Sequence, residues 1–384
     1  MSSSVRKVAV VFATRWWRVT SIDFGGYCDA LARLGHSPTL VCCGNDHPDA
    51  GFPVVEADVT NMEKEEFWRN LKLEAVIFFN WLRSPRIVEA MKRAGLFVIS
   101  RGDTDGHASA RVFPKAAWLA LAATSDSLLV RLRKIRYWIH QCRTLSATQD
   151  RDLMEGIERA DTVVVECDEA AGNLRRILQY YRRPELAEKL KVVPHSVADR
   201  VLLQPVSQGR RPRKIICGGR WEDPQKDALL LASVLQTLLK RQHDLQIVIV
   251  GSGAEDLFGQ LANRYPQIVW LRRVAHEKIP EILADCRIIL SASRWEGYSI
   301  IALEALCMGC TLAAPPLPGF ISMTENGRYG TISPDRKPAA LARAVEKELE
   351  LWDSGTRLPA EISAVWRQRV SSDSVVSSLI SLIK

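Results

Sequence analysis

The 384-residue sequence has no apolar run approaching the roughly 20 residues a membrane-spanning helix requires, so no helical membrane span is expected. Its opening residues, Met1 to Lys7, lead directly into a strand-like run and lack the apolar core of a signal peptide, which makes the cytoplasm the expected compartment. Of its nine cysteines only Cys307 and Cys310 form a CxxC, with neither a second pair nor a histidine pair to complete a zinc site. The others are scattered through hydrophobic runs such as Leu40-Val41-Cys42-Cys43, where a thiol behaves as a small apolar side chain. No metal is therefore expected. Low-complexity stretches are absent, and 47% apolar with 25% charged residues excludes a disordered chain. What the sequence does have is a surplus of cations, 52 basic against 44 acidic residues, for a formal charge of +8. That surplus favours anionic partners: nucleotide phosphates, acidic membrane surfaces or nucleic acid.

The apolar pattern alternates between short β-rich runs and longer amphipathic segments, the pattern of parallel sheets with crossover helices. It predicts strands at Lys7–Ala13, Pro38–Cys43, Ala75–Asn80, Leu96–Ser100, Thr162–Glu166 and Lys191–Pro194 in the first half. In the second half it predicts Lys214–Gly218, Leu245–Val250, Ile268–Leu271, Arg287–Ser291 and Thr311–Ala314. Two doubly wound α/β domains follow, 1–197 and 214–365. The polar stretch 198–213, with Pro205, Gly209 and Pro212, reads as a linker, and 366–384 as a terminal helical segment. Ligands of such sheets bind beyond the carboxyl ends of the strands, so the loops there are the places to seek chemistry.

After the strand Lys214–Gly218, Arg220 and Lys226 occupy one loop, six residues apart. A forked guanidinium and a compact ammonium can converge on a diphosphate and stabilise charge as a bond to it breaks; a solvated basic loop is the plainer alternative. The strand Leu245–Val250 ends in Gly251-Ser252-Gly253, a turn that suits phosphate or ribose approach, or is no more than a tight turn. In the segment Ser293 to Leu306 a strand gives way to a loop carrying Glu296 and then to an apolar helix carrying Glu304. Backbone N–H groups around Tyr298, Ser299 and Ile300 can receive phosphate oxygens, while the two carboxylates accept from sugar and ribose hydroxyls. As a hydrolase pair the glutamates are poorly spaced, since eight helical residues span about 12 Å.

The Glu296-x7-Glu304 spacing, with Arg220, Lys226 and the Gly251-Ser252-Gly253 turn in order upstream, resembles the donor site of the retaining GT-B glycosyltransferases, family 4 in the sequence-based classification. The resemblance implies two Rossmann-like domains facing a central cleft, with the acceptor on the first and the nucleotide sugar on the second. It implies that Arg220 and Lys226 hold the diphosphate, that Glu296 faces the donor sugar and that Glu304 holds the ribose. It also implies retention of anomeric configuration, with the departing phosphate helping to deprotonate the incoming hydroxyl, and no cofactor besides the donor substrate, independent of metal. More faintly, Gly25-Gly26 and the helix through Leu31 to His36 resemble the family's first loop and helix, and Val192-Val193-Pro194-His195 its last amino-domain strand. The segment Ser371 to Lys384 resembles the helix that crosses back to the first domain. Two departures stand out: His195 replaces the usual asparagine, and Tyr298-Ser299 the usual Phe-Gly.

On the acceptor side, Arg101-Gly102-Asp103-Thr104-Asp105-Gly106-His107 follows a strand end, and the resemblance makes His107 a catalytic candidate with Asp103 second; such composition also makes plain turns. Residues 128–143 interleave five cations with Leu132, Ile135, Tyr137, Trp138 and Ile139, without an acid. This helix either lies on anionic lipid, suiting a lipid-linked acceptor, or packs its apolar stripe on its own domain. The acceptor expected is a glycan or lipid-linked glycan. Rival readings are an epimerase or phosphorylase using the same donor site, a silent binding protein, and glycosylation of a nucleic-acid base, the last motivated by the charge and by Arg15-Trp16-Trp17-Arg18.

Overall fold

The structure is a computed structural model that describes residues 5–13, 26–44, 51–79, 84–102, 104–121, 128–207 and 209–384. The chain divides into two compact units, one formed by 1–198 with 370–384 and the other by 199–369.

The first unit is built on strands β1 (Lys7–Phe12), β2 (Ser37–Cys42), β3 (Val54–Glu56), β4 (Ala75–Phe79), β5 (Phe97–Arg101), β6 (Thr162–Val165) and β7 (Leu190–Val192). They form one sheet in the order β3-β2-β1-β4-β5-β6-β7. The second unit contains β8 (Lys214–Gly218), β9 (Gln246–Val250), β10 (Ile268–Leu271), β11 (Ile288–Leu290), β12 (Thr311–Ala314) and β13 (Gly330–Ile332). Their order is β10-β9-β8-β11-β12-β13. All pairings are parallel, as in β1 with β4 and β8 with β11. Parallel strands are covered by helices on both faces and need apolar side chains on both. Accordingly all five residues of β4 are buried, as are all four of β6 and of β12. The expected doubly wound architecture is thus present in both halves, and in each the order reverses at one place, between β1 and β4 and between β8 and β11. Crevices for ligands open at such reversals.

The strands missed by sequence are β3 and β13, each three residues at a sheet edge, too short for a period to register. The expected linker is not a free spacer. Asp199–Leu203 is helical, and the guanidinium of Arg211, buried within the second unit, donates to the carbonyls of Cys286 at 2.7 Å and Met308 at 2.6 Å. A polar run reads as solvated, yet one arginine can satisfy several carbonyls and so be drawn inside. The boundary expected at 366 also shifts. Trp366 is buried against Tyr329, and Arg367 donates to the carbonyls of Leu202 and Cys307, which keeps these residues in the second unit.

The last helix, Ser372–Ile380, belongs to the first unit, where its Val375, Val376 and Leu379 join the core with Val10, Leu31 and Ile77. Ser371 caps it by accepting from the Ser374 N–H. It packs on the helix Gly26–Arg33, and a side chain at Gly26 would meet the Ser372 hydroxyl at 2.8 Å. What Gly26 admits here is a neighbouring helix; Gly25 lies outside the described residues.

Candidate functional site

The loops after β8 and β11, beside the reversal of the second sheet, bring three of the four charged donor candidates to one place. Lys226 Nζ donates to Glu296 Oε2 at 2.7 Å, with both side chains largely buried. Ser293 donates its hydroxyl to the same carboxylate at 3.0 Å. Arg220 is the exposed member: its side chain is 74% accessible and lies 3.4 Å from Asp223. The loop therefore presents one mobile-length cation to solvent and anchors the other on a carboxylate.

Several residues that sequence reasoning passed over hold these loops in register. The Arg294 N–H donates to the Gln225 carbonyl at 2.8 Å, and the Gln225 amide donates to the Trp295 carbonyl at 2.9 Å. Asp227 adopts the left-handed conformation, φ 49°, which aspartate tolerates better than most residues, and caps the helix Ala228–Leu239 through the Leu230 N–H. Its carboxylate is also the centre of a buried ion cluster, 3.1 Å from Arg294 Nε and 2.6 Å from an Arg336 nitrogen. The only advance signal was an Asp preceding an apolar helix; the arginines are 67 and 109 residues further on.

The glycines after β9 prove to serve the neighbouring loop. Gly251 and Gly253 have φ of 116° and 93°. Added side chains would strike the Gly219 carbonyl at 1.8 Å and the Glu222 backbone nitrogen at 2.2 Å. The Gly253 N–H already donates to Glu255 at 3.0 Å, and this bond holds the Glu255 carboxyl below its usual range. Besides the phosphate or ribose approach expected of them, these glycines let the loop after β9 nest on the loop after β8. Gly218 plays a similar part at the end of β8, where a Cβ would lie 2.1 Å from Ile301 of the next helix.

That helix spans Ile300–Cys307, and the Ser299 hydroxyl makes no capping bond to it. Its first N–H groups and positive dipole end point out of the helix start, as an anion site requires. Tyr298 is buried beside Gly319, whose lack of a side chain admits the Gly297 carbonyl. Glu304 lies in the second turn, 5% exposed. Burial pushes its pKa up to about 7, opposed only in part by Arg200 at 3.5 Å. A carboxyl so placed is ready to ionise when a hydrogen-bond donor arrives.

Cys307 and Cys310 are both buried; the Cys310 thiol donates to the Cys286 carbonyl at 3.2 Å, and burial raises it to about 11. In the first unit, His107 is part-buried in its own loop. Its Nδ1 lies 2.8 Å from Asp105, its Nε2 3.4 Å from the Asn173 amide, and its ring meets Phe113 edge-on at 4.6 Å. Gly106, φ 78°, lets this loop touch the helix Asp168–Tyr180, where a side chain would strike the Ala170 carbonyl at 2.4 Å. Asp103 lies outside the described residues, as does Arg15-Trp16-Trp17-Arg18. His195 is buried with Glu166, 3.5 Å apart.

Residues 212–350 match the family described as Glycosyl transferases group 1. Over that stretch, about a third of its length, the chain is similar to this family. Among curated proteins, this chain is 26% identical over 147 residues to the phosphatidyl-myo-inositol mannosyltransferase of Mycobacterium tuberculosis; the match covers 37% of this chain and 39% of that protein. The chain thus matches about two fifths of that relative's length. Among solved structures, a glycosyltransferase from Rickettsia africae superposes with a TM-score of 0.69 at 15% identity, covering 99% of this chain and 98% of that one. Anabaena HepE, solved with UDP and glucose, gives 0.67 at 13%, with 98% of each chain covered. These likenesses establish the fold: the chain has the two Rossmann-like units of the GT-B class. Arg220, Lys226, Glu296 and Glu304 all lie within the matched residues. Among the described residues no helix is long and apolar enough to cross a membrane.

Proposed function

We propose that the chain is a glycosyltransferase that moves a hexose-type sugar from a nucleotide-diphosphate sugar to an acceptor hydroxyl with retention of anomeric configuration. The observation that carries this reading is the Lys226–Glu296 contact of 2.7 Å, which joins the loops after β8 and β11 at the sheet reversal. Around it stand the exposed Arg220, the open start of the helix Ile300–Cys307 and the buried Glu304.

In this reading Arg220 and Lys226 meet the diphosphate, and the N–H groups from Tyr298 to Ile300 add dipolar stabilisation as negative charge grows on the leaving phosphate. Glu296 accepts from hydroxyls of the sugar and Glu304 from the ribose. Because two cations meet the diphosphate, transfer is expected without metal. The reaction exchanges one C–O bond for another: the anomeric carbon leaves the β-phosphate oxygen and joins the acceptor oxygen, whose proton passes to the departing diphosphate. The protein contributes mainly position and a pre-oriented field. His107 and Asp103 are the proposed groups on the acceptor side, with Asp105 and Asn173 fixing the imidazole. The acceptor proposed is a glycan or lipid-linked glycan in the cytoplasm.

A thermal-shift panel of UDP-, GDP-, ADP- and dTDP-sugars tests the donor assignment, since a ligand that binds only the native state raises its apparent stability. At least one sugar nucleotide should raise the transition; no shift with any of them overturns the reading. Proton NMR of fresh product should show the donor's anomeric configuration, and inversion would refute the stereochemical part.

A further inference from the structure

The helix Leu128–His140 makes its main packing contact with the helix Pro114–Leu121. An amphipathic helix ordinarily turns its apolar stripe inward. Here Leu132, Ile135 and Ile139, spaced as one face, remain 49%, 38% and 41% exposed, and Tyr137 is 48% exposed. Beside them Trp118 and Trp138 meet edge-to-face with centroids 5.7 Å apart, the indole N–H of Trp138 being satisfied by the Pro114 carbonyl at 2.9 Å. With Lys115 and Ile135 the two tryptophans line an open groove of about 530 Å³. Arg133 and Arg136 are exposed on the same helix, and no acidic residue occurs between Asp126 and Asp150. Among the described residues, Leu132, Ile135 and Ile139 are left partly exposed rather than covered by their own domain, which favours the first of the two readings the sequence left open.

We propose that this face docks on a bilayer leaflet containing anionic lipid, with an acyl chain entering the Trp118–Trp138 groove and Arg133, Lys134 and Arg136 meeting headgroup phosphates. Exposed aliphatics, indoles that are apolar with one polar end, and flanking cations are the composition of a helix lying in the interface. The sign of the charge selects the occupant. A second copy of this face would set cation against cation, whereas an anionic leaflet neutralises them. Docking itself does not depend on the sugar chemistry; only the narrowing of the acceptor to one held at a membrane rests on the transferase reading.

The test is co-sedimentation of the full chain with vesicles of phosphatidylcholine alone and of phosphatidylcholine with phosphatidylglycerol. Binding is expected only to the second kind, weakening with salt. Each cation near an anionic surface contributes about fivefold in affinity, so combining Arg133→Gln, Lys134→Gln and Arg136→Gln should weaken binding about a hundredfold. Ile135→Asp with Ile139→Asp should abolish quenching of tryptophan fluorescence by bromine-labelled acyl chains. Arg133, Ile135, Arg136 and Ile139 are exposed and Lys134 is half-buried, and unaltered circular dichroism would show that both variants fold. Negligible or equal binding to both vesicle kinds overturns the proposal, as does anionic binding that ignores the isoleucine changes. Self-association broken by Ile135→Asp without lipid binding would assign the face to a second copy instead. Docking without any sugar-nucleotide shift would remove the transferase reading and leave this one standing.

Discussion

The two units share one topology and differ in what their loops carry beyond the reversal of the sheet. In the second, the loops after β8, β9 and β11 are stitched together by Gln225, Asp227, Arg294 and the nested glycines, and Lys226 and Glu296 are held within this frame. In the first, the described part of the loop after β5 is tied within itself and to the helix behind: His107 to Asp105, Asn173 to the Asp105 carbonyl, and Gly106 against Ala170. Among the described residues, charge converges on an open position in the second unit. Topology selects where a site can form, and the loop residues select whether it does.

The comparison breaks most sharply at Asp227. Replacing it by alanine removes the carboxylate that the buried Arg294 shares with Arg336, and losing one member of a buried pair costs about 3–5 kcal/mol. Urea unfolding should show a loss of that order. An unchanged midpoint would mean that the ion cluster does not hold the loops. Glu296→Gln comes next: it removes the charge proposed to face the donor sugar, and the turnover number should fall about 10²–10³-fold, the size seen when one pre-oriented polar group is lost from a transition state. Arg220→Ala should weaken donor binding by roughly ten- to a hundredfold, the worth of a hydrogen bond to a charged group. Because Arg220 is exposed, thermal stability should hold; titration calorimetry alongside a melt separates the two effects.

Glu304 sharpens the comparison through pH. Its folded pKa of about 7 lies above the ordinary 4.5, so the fold favours its protonated form. The group's contribution to the stability of the free protein is therefore greatest below 4.5 and declines as pH rises through the window to about 7, where the unfolded chain has already released its proton. Ribose hydroxyls donate to the ionised form, so nucleotide affinity should rise across the same titration, by up to about tenfold per pH unit on its acidic side. Proton release on binding, measured in buffers of different ionisation enthalpy, reports it, and Glu304→Gln should flatten the profile. The smallest effect is expected in the first unit at Arg33 and Asp373, an ion pair of 2.6 Å with both partners over 40% exposed. Arg33→Ala should cost under about 1 kcal/mol, because solvent screens such pairs.

Most central strands were legible because a parallel strand buried on both faces must be a continuous apolar run, as in Ala75–Phe79 and Thr311–Ala314. The edge strands β3 and β13 were not, since three residues carry no period. Among the candidate site residues, Arg220, Lys226, Glu296 and Glu304 could be proposed from sequence because the first three lie in loops after strands, Glu304 lies in the helix that follows, and their order follows a known spacing. Gln225, Arg200 and Arg336 were not. Each reaches its partner across 70, 104 or 109 residues of chain, and nothing local in the sequence marks such a meeting. Gly251 and Gly253 were legible as places of close approach but not their neighbour in the fold, the loop after β8, because a glycine signals close approach without naming what approaches.

By itself the sequence determined two doubly wound sheets, the strands at their centres and the loops and helix on which the four charged candidates sit, since burial and loop position follow from local apolar pattern. Only the tertiary structure decided that Lys226 leans on Glu296 while Arg220 stands open, that burial raises Glu304 and that the stripe of Leu132, Ile135 and Ile139 faces outward. These are properties of surroundings, and a side chain acquires its surroundings only when distant parts of the chain close around it.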